Sequence, residues 1–525
     1  MVVMPKIRLE KYKWTSNGII SVVGFAWLNG DYVSEKAFLE LLVKHSDSFE
    51  SIQKLSTQLK GQFSFLVSKQ PEVWLACSHT WSYPLFYREV QGSYLISDDP
   101  KQLQTSETPF IQDAFSRIYF LNFGVTPLNN TLVREVFQIL PGEIICFSEN
   151  DSQSYFTGSY ALQNNNFEQD TSNGEDLHRF LLSTFDKYYN TFKNKQVLVP
   201  LTRGYDSRLL ACLLKEFGHK NVVCVTWGRD KNSEVETAKK VSNKLGYEHI
   251  FVNYSEEIVN NFTSSPEFLA YMDYAGHWSS MPFLYEYFGL KELKRREIIG
   301  SDTVVLPGHP GDFLRGEHLA KNMETDSPSY LAAQIFSNFN SSYPVKRKDQ
   351  KKIIDFIIDR FFSDKGGASW HGYEQWDYQE RQCKFIGNST QVFSHLELDY
   401  MMPLFDLDLL LFFKKLPFEQ KTGQNLYNNT LEKYFFKKFG IDFDLKAVYK
   451  KERRFSVLKR DLLAVAPQFL KSWYYNMNDD IYYREITNEL KSQYKAFHYK
   501  TPLRPNAYNS FIIQWYLQVI NSTFR

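Results

Sequence analysis

A short run of small, hydroxyl-bearing and acidic residues follows an apolar segment near the middle of the chain. Residues 201–208 read Leu-Thr-Arg-Gly-Tyr-Asp-Ser-Arg. Gly204 lets backbone N–H groups approach an anion, and Thr202 and Ser207 add hydroxyl donors. Asp206 beside a phosphate is explained by Mg²⁺, which takes one or two carboxylates together with phosphate oxygens. The run therefore predicts a polyphosphate site, and the alternative is an ordinary strand-to-helix turn with capping residues.

The neighbouring segments alternate between predicted strands and helices. Residues 196–201, 222–227 and 249–253 have the composition of buried strands, while apolar residues recur at helical spacing through Phe217 and again over 233–245. Gly218 and Gly246 follow the two helices as C-terminal caps. This order predicts a parallel sheet covered on both faces, with ligands at the carboxyl ends of its strands. Beyond residue 267 the sequence pattern is mostly helical.

The amino-terminal part has a different pattern. Residues 1–147 contain short β-branched and aromatic segments separated by turn residues, and they predict a mostly β domain with helices over 37–44 and 111–121. Residues 148–176 are rich in Ser, Asn, Gln, Asp and Gly, which is typical of a linker. We therefore predict one domain over 1–147, a linker over 148–176 and a second domain over 177–525.

Composition excludes several classes of function. The 525 residues carry 61 Lys and Arg against 60 Asp and Glu, so no net charge recruits nucleic acid or an anionic membrane. The five cysteines have no C-x-x-C spacing, which disfavours a zinc ribbon or a disulfide framework. The sequence lacks a signal-peptide pattern at residues 1–25 and an apolar run long enough to span a bilayer. We expect a cytoplasmic protein without membrane insertion; a homodimer is compatible with the sequence.

The run at 202–207 resembles the S-G-G-x-D-S loop of ATP pyrophosphatases, and its surroundings resemble the asparagine synthetase family, which includes the β-lactam synthetases. This resemblance implies an α/β protein with an N-terminal Ntn-hydrolase-like α+β domain and a C-terminal adenine-nucleotide α-hydrolase-like domain, the latter with a parallel sheet and a large helical part. It also implies ATP and Mg²⁺ as cofactors, with the loop residues Thr202, Arg203, Gly204, Tyr205, Asp206 and Ser207 around the nucleotide.

Further site residues follow from the same resemblance. The segment around Trp227 is similar to the strand that holds adenine, and residues 304–313 are similar to the S-G-E-G-x-D-E strand and loop. Gly308 would then lie against the nucleotide, and Asp312 would join Asp206 as a Mg²⁺ ligand. Residues 396–406 resemble the segment that carries a catalytic glutamate, here Glu397. The basic run at 449–456 resembles the segment with the lysine that neutralises the adenylate and pyrophosphate, assigned to Lys451 with Lys450 as the neighbouring alternative.

The sequence departs from the family at three places. The glutaminase-like domain has no N-terminal cysteine, and Cys77 lies inside a predicted strand, so glutamine hydrolysis is not expected. Arg203 replaces the first glycine of the loop, where a side chain either obstructs phosphate or grips it. His309 occupies a position that is glutamate or tyrosine in relatives, and an imidazole is a suitable general base near neutral pH.

These observations predict an AMP-forming ligase that adenylates a small-molecule carboxylate and joins it to an amine or ammonia. One alternative is a catalytically inactive scaffold that binds nucleotide or a partner protein. Another is RNA base thiolation, which is disfavoured because the chain lacks the catalytic cysteines and a basic RNA surface.

Overall fold

The fold is given by a computed structural model that describes residues 5–105, 108–148, 151–156, 171–230, 233–340, 345–363, 368–445, 484–496 and 508–521. Strands dominate the described residues up to 156. They are β1 (Lys6–Arg8), β2 (Thr15–Ser16), β3 (Ile20–Leu28), β4 (Asp31–Ser34), β5 (Lys60–Lys69), β6 (Glu72–Cys77), β7 (Phe86–Val90), β8 (Ser93–Ser97), β9 (Phe137–Gln138), β10 (Glu143–Ser148) and β11 (Asp151–Phe156).

These strands form two sheets. One has the order β1-β8-β7-β9, and the other has the order β11-β10-β6-β5-β3-β2 with β4 also paired to β3. The α-helices among the described residues of this part are α1 (Glu35–His45), α2 (Phe49–Gln58) and α3 (Ala114–Phe123). The mostly β character predicted for this region is observed.

Two local predictions need correction. Helix α3 begins three residues later than predicted, because the side chain of Asp113 caps it by accepting a hydrogen bond from the Ser116 N–H at 2.7 Å. The stretch 148–176, predicted as a linker, contains β11, which pairs antiparallel with β10. All six residues of β11 are exposed, so this edge strand has no apolar face that the sequence pattern could reveal.

A five-stranded parallel sheet forms the centre of the second part. Its strands are β12 (Gln196–Pro200), β13 (Val222–Gly228), β14 (Glu248–Asn253), β15 (Thr303–Val305) and β16 (Asp399–Tyr400), in the order β14-β13-β12-β15-β16. Every pairing is parallel. Strand β13 is buried along its whole length, as expected for a central strand covered on both faces.

Helices surround this sheet. Those that precede or connect its first strands are α4 (Gly174–Phe192), α5 (Tyr205–Glu216), α6 (Ser233–Leu245), α7 (Glu256–Val259), α8 (Pro266–Gly276) and α9 (Tyr287–Arg295). The later ones are α10 (Gly311–Leu314), α11 (Pro328–Phe339), α12 (Arg347–Phe361), α13 (Trp370–Trp376), α14 (Gln391–His395), α15 (Leu407–Lys415), α16 (Phe418–Lys421), α17 (Asn425–Leu431), α18 (Arg484–Ala496) and α19 (Tyr508–Asn521). Gly218, with φ +71°, directly follows the C-terminal cap of α5, as predicted.

The two parts pack directly against each other. The imidazole of His79 lies 2.8 Å from the carbonyl oxygen of Phe405, and Tyr378 donates to the carbonyl of His79 at 3.0 Å. Lys384 is completely buried beside Glu380, at 2.9 Å, and also donates to a main-chain carbonyl of the amino-terminal part. One large apolar cluster includes residues from both sides of this contact. Within the described residues, no helix combines the length and the apolar character needed to cross a bilayer.

Candidate active site

The predicted phosphate loop connects β12 to the first turn of α5. The Thr202 N–H donates to the Ser207 hydroxyl at 3.1 Å, and the Gly204 N–H donates to the Thr202 hydroxyl at 3.1 Å. These bonds close the loop on itself and fix the start of α5. Thr202, Gly204, Asp206 and Ser207 all line a cavity of about 320 Å³ at the carboxyl edge of the sheet. The positive end of α5 therefore lies at this cavity.

Arg203 and Tyr205, the other two predicted loop residues, do not line the cavity. The Tyr205 side chain is buried, and its hydroxyl donates to Glu432 at 2.6 Å. The main-chain carbonyl of Arg203 accepts a hydrogen bond from Arg208 at 2.9 Å. Arg208 is completely buried and also donates to the carbonyl of Ile441 at 2.7 Å. Sequence reasoning did not assign a role to Arg208, which joins the loop to the helical part.

The second predicted loop follows β15, the neighbour of β12, and packs on the first turn of α5. A Cβ atom added to Gly308 would lie 3.2 Å from the Ser207 nitrogen. A Cβ atom added to Gly311 would lie 2.1 Å from Cγ of Asp206, a separation that real structures do not allow. Two glycines thus let the loops that the sequence singled out meet at Asp206.

Asp206 is mostly buried and has two partners. The Tyr427 hydroxyl donates to its Oδ1 at 3.0 Å, and the Arg315 guanidinium donates to its Oδ2 at 3.2 Å. Burial raises the pKa of Asp206 to about 6, although Arg315 acts in the opposite direction. Arg315 itself is 10% exposed, lines the cavity and also pairs with Glu317. Neither Arg315 nor Tyr427 was predicted, because no local pattern reveals a contact made through the tertiary fold.

Asp312 and His309 line the same cavity and differ in electrostatic environment. Burial opposes ionisation of Asp312, but His318, Arg381 and other cations outweigh it and hold the pKa of Asp312 below its usual range. Burial and the charge of Arg381 lower the pKa of His309, against the attraction of Asp312. His309 is therefore a neutral imidazole near pH 7. Its Nε2 lies 3.5 Å from the hydroxyl of Ser389.

Part of the cavity wall is aromatic. Trp227 at the end of β13 and Tyr285 make an edge-to-face contact with ring centroids 6.0 Å apart, and both line the cavity. Beside them lies Glu286, which is 5% exposed, and burial raises its pKa to about 8. Sequence reasoning missed Glu286; the available signal was a single acid within the aromatic and apolar segment 281–288.

The sequence matches no family model. Comparison with curated proteins also finds no significant match. The chain is similar to solved structures of an ammonia-dependent NAD synthetase from Campylobacter jejuni (13% identity, TM-score 0.21, 37% of this chain and 87% of that one) and an NMN synthetase from Francisella tularensis (12%, 0.22, 40% and 97%). It is also similar to a tRNA thiolase from Methanococcus maripaludis (14%, 0.20, 39% and 77%). These TM-scores are low, and the asparagine synthetase resemblance stays a prediction.

Glu397, another predicted site residue, is not brought to the cavity. Glu397 lies on a turn with φ +58°, and its side chain is 67% exposed at 3.8 Å from Lys13, which is 88% exposed. The Glu397 side chain does not line the cavity. The resemblance gave the place of this residue in the chain but not the direction of its side chain. Lys450 and Lys451 lie outside the described residues.

The donor atoms at the cavity suit a nucleotide-bound Mg²⁺ better than a metal held by protein alone. In the part of the chain that the structure describes, no group of three or more His, Cys, Asp or Glu side chains could hold a metal ion. Asp206 and Asp312 supply hard carboxylate oxygens, and Mg²⁺ commonly takes one or two carboxylates and completes its shell with phosphate and water. The two residues therefore fit Mg²⁺ that arrives with a polyphosphate.

Proposed function

We propose that this chain is an ATP-dependent ligase that activates a substrate carboxylate as an acyl-adenylate and joins it to an amine or ammonia. One observation carries the proposal: two glycine-containing loops from adjacent parallel strands converge on Asp206 at a cavity that also receives the start of α5. Open parallel sheets bind ligands at this edge, and a helix N-terminus favours anions.

The groups of the cavity suggest how a nucleotide would be held. The first turn of α5, Ser207 and Thr202 would face the phosphates. Arg315, now paired with Asp206, would gain a bidentate partner in a phosphate and release Asp206. Asp206 and Asp312 would then hold Mg²⁺, which would neutralise charge on the triphosphate during adenylyl transfer. The adenine would lie towards Trp227.

The reaction would proceed in two steps. A substrate carboxylate oxygen attacks the α-phosphorus of ATP, the new O–P bond forms, and pyrophosphate leaves with the electrons of the α–β bridge. An amine then attacks the acyl carbon, and AMP leaves. Neutral His309 would accept the proton that the ammonium form of the nucleophile must lose. We assign charge neutralisation of the leaving pyrophosphate to Lys451, as the resemblance implies.

The nitrogen source is expected to be an amine or free ammonia. Cys77 lies in β6, and burial raises the pKa of its thiol to about 12, so it is not a thiolate near neutral pH. We propose that the protein binds ATP and its substrates in the cytoplasm.

A second candidate is a nucleotide-binding scaffold without catalysis. It is favoured by Arg203 in place of a loop glycine and by Asp206, whose two oxygens are already engaged by Tyr427 and Arg315. In that case Arg315 stays on Asp206 when nucleotide binds, and Mg²⁺ lacks one ligand.

Product analysis separates these proposals. The full chain is incubated with MgATP and a panel of amino acids and sugar acids, and pyrophosphate, AMP and ADP are measured. The ligase predicts AMP and pyrophosphate that depend on one class of carboxylate, lost in Asp206→Ala and retained in Glu397→Gln, whose side chain is exposed. Formation of ADP contradicts the ligase. Binding of MgATP without pyrophosphate release for every carboxylate favours the scaffold.

A further inference from the structure

Glu286 is a buried acid at the wall of the cavity, and one of its oxygens, Oε2, has no partner. It immediately precedes α9, is 5% exposed and lines the cavity beside Tyr285. Its Oε2 is buried and has no hydrogen-bond partner, and it forms no ion pair with any residue in the described part of the chain. A buried polar atom without a partner lowers stability, so an acid in this position is best explained by a ligand that uses it.

The surroundings of Glu286 favour its neutral form. No cation contributes to its electrostatics within the described ranges, and burial raises its pKa to about 8 although a hydrogen bond from its own backbone N–H acts in the opposite direction. A neutral carboxyl has a hydroxyl donor beside a carbonyl acceptor. It can therefore pair with a ligand edge on which an acceptor stands beside a donor.

The position of Glu286 relates it to the base of a nucleotide. Strand β13 lies on one side of β12, and β15, whose loop carries the charged residues, lies on the other. Glu286 belongs to the β13 side, since the Trp227 ring contacts Tyr285 and lies 2.7 Å from a Cβ placed on Gly289 of α9. A nucleotide with its phosphates at Asp206 and Arg315 would thus have its base near Trp227 and Glu286.

We propose that Glu286 recognises adenine, by a paired hydrogen bond between its neutral carboxyl and the edge where the 6-amino group stands beside a ring nitrogen. Adenine presents this donor beside an acceptor. The proposal rests on the proposed ATP site and adds the group that selects the base. It does not depend on whether the chain completes the ligation.

Calorimetric titration of three proteins with two nucleotides tests this proposal. Wild type, Glu286→Gln and Glu286→Leu are titrated with MgATP and with the Mg²⁺ complex of purine riboside 5′-triphosphate, which lacks the 6-amino group. Gln offers the same donor and acceptor as the neutral acid, so we expect its Kd for MgATP to stay within about threefold of wild type. Leu offers neither, and its Kd should rise at least about tenfold for MgATP but clearly less for the analogue.

Stability provides the control for folding. Glu286→Leu should melt at or above the temperature of wild type, because it removes a buried carboxyl whose Oε2 has no partner. Equal MgATP affinity in wild type and Glu286→Leu overturns the proposal. An equal loss for both nucleotides also overturns it, since that result indicates only altered packing. Failure of wild type to bind MgATP overturns adenine recognition and the proposed function together, whereas base-dependent binding without pyrophosphate release supports recognition and contradicts only the ligase.

Discussion

The contact between Gly311 and Asp206 leads to a sharp prediction for Gly311→Ala. The added methyl would lie 2.1 Å from Cγ and 2.2 Å from Oδ1 of Asp206. Asp206 cannot simply turn away, because Tyr427 holds one of its oxygens at 3.0 Å and Arg315 holds the other at 3.2 Å. The backbone of residue 311 is not in the left-handed region, so the effect comes from this collision alone.

Overpacking by one methyl commonly costs about 1–3 kcal/mol, and we expect the upper half of that range because both neighbours of the methyl are fixed. MgATP affinity should fall at least about tenfold, since Asp206 must leave its position. Gly300→Ala is the matched control, because nothing lies within 4 Å of its added Cβ. Urea unfolding and calorimetry with MgATP measure the two effects. If Gly311→Ala behaves like Gly300→Ala in both assays, that result contradicts the close packing of the second loop on Asp206.

Three further predictions concern single side chains. The pKa of Asp206 is raised from 3.8 to about 6, so its contribution to stability is present below about pH 4 and is lost as the pH rises through about 6. In Asp206→Asn this decline in the unfolding free energy should be shallower by roughly 3 kcal/mol. An unchanged pH profile would contradict the burial of Asp206. His309→Asn should slow amide formation about 100-fold while pyrophosphate release continues. The wild-type rate of amide formation should be flat above pH 7, because the pKa of His309 is lowered. Equal slowing of both steps would refute the role of His309 as base. Glu397→Gln should change the unfolding free energy by less than about 0.5 kcal/mol and leave pyrophosphate release intact, because the pair that Glu397 forms with Lys13 is exposed. Loss of pyrophosphate release would show that Glu397 belongs to the active site.

The elements around the phosphate loop could be predicted from the sequence. Strand β12 and helices α5 and α6 have apolar periodicity and a glycine after each helix, so local signals agree with the tertiary structure. The predicted start of α3 missed the cap at Asp113, and β11 carries no apolar face. Local signals therefore located the long elements and failed where a single cap or an exposed edge decided the structure.

Only part of the site could be predicted from the sequence, for a related reason. Gly308 and Asp312 were predicted because residues 304–313 resemble the S-G-E-G-x-D-E segment, and both line the cavity. Arg315 and Glu286 line the cavity, and Tyr427 reaches Asp206, from separate segments, and no spacing within the chain encodes their approach. For Glu397 the outcome is the opposite. A segment that resembles the family predicted it as a site residue, whereas its side chain is exposed to solvent.

Titration with MgATP tests the nucleotide site most directly when Gly308 is the residue changed. A Cβ on Gly308 already lies 3.2 Å from the Ser207 nitrogen, so the larger side chain of Gly308→Val would fill the gap between the two loops, whereas Gly300→Val projects into open space. We expect wild type and Gly300→Val to bind one MgATP per chain and Gly308→Val to bind none. Absence of binding in wild type, or equal binding by all three proteins, would contradict a nucleotide site at this cavity.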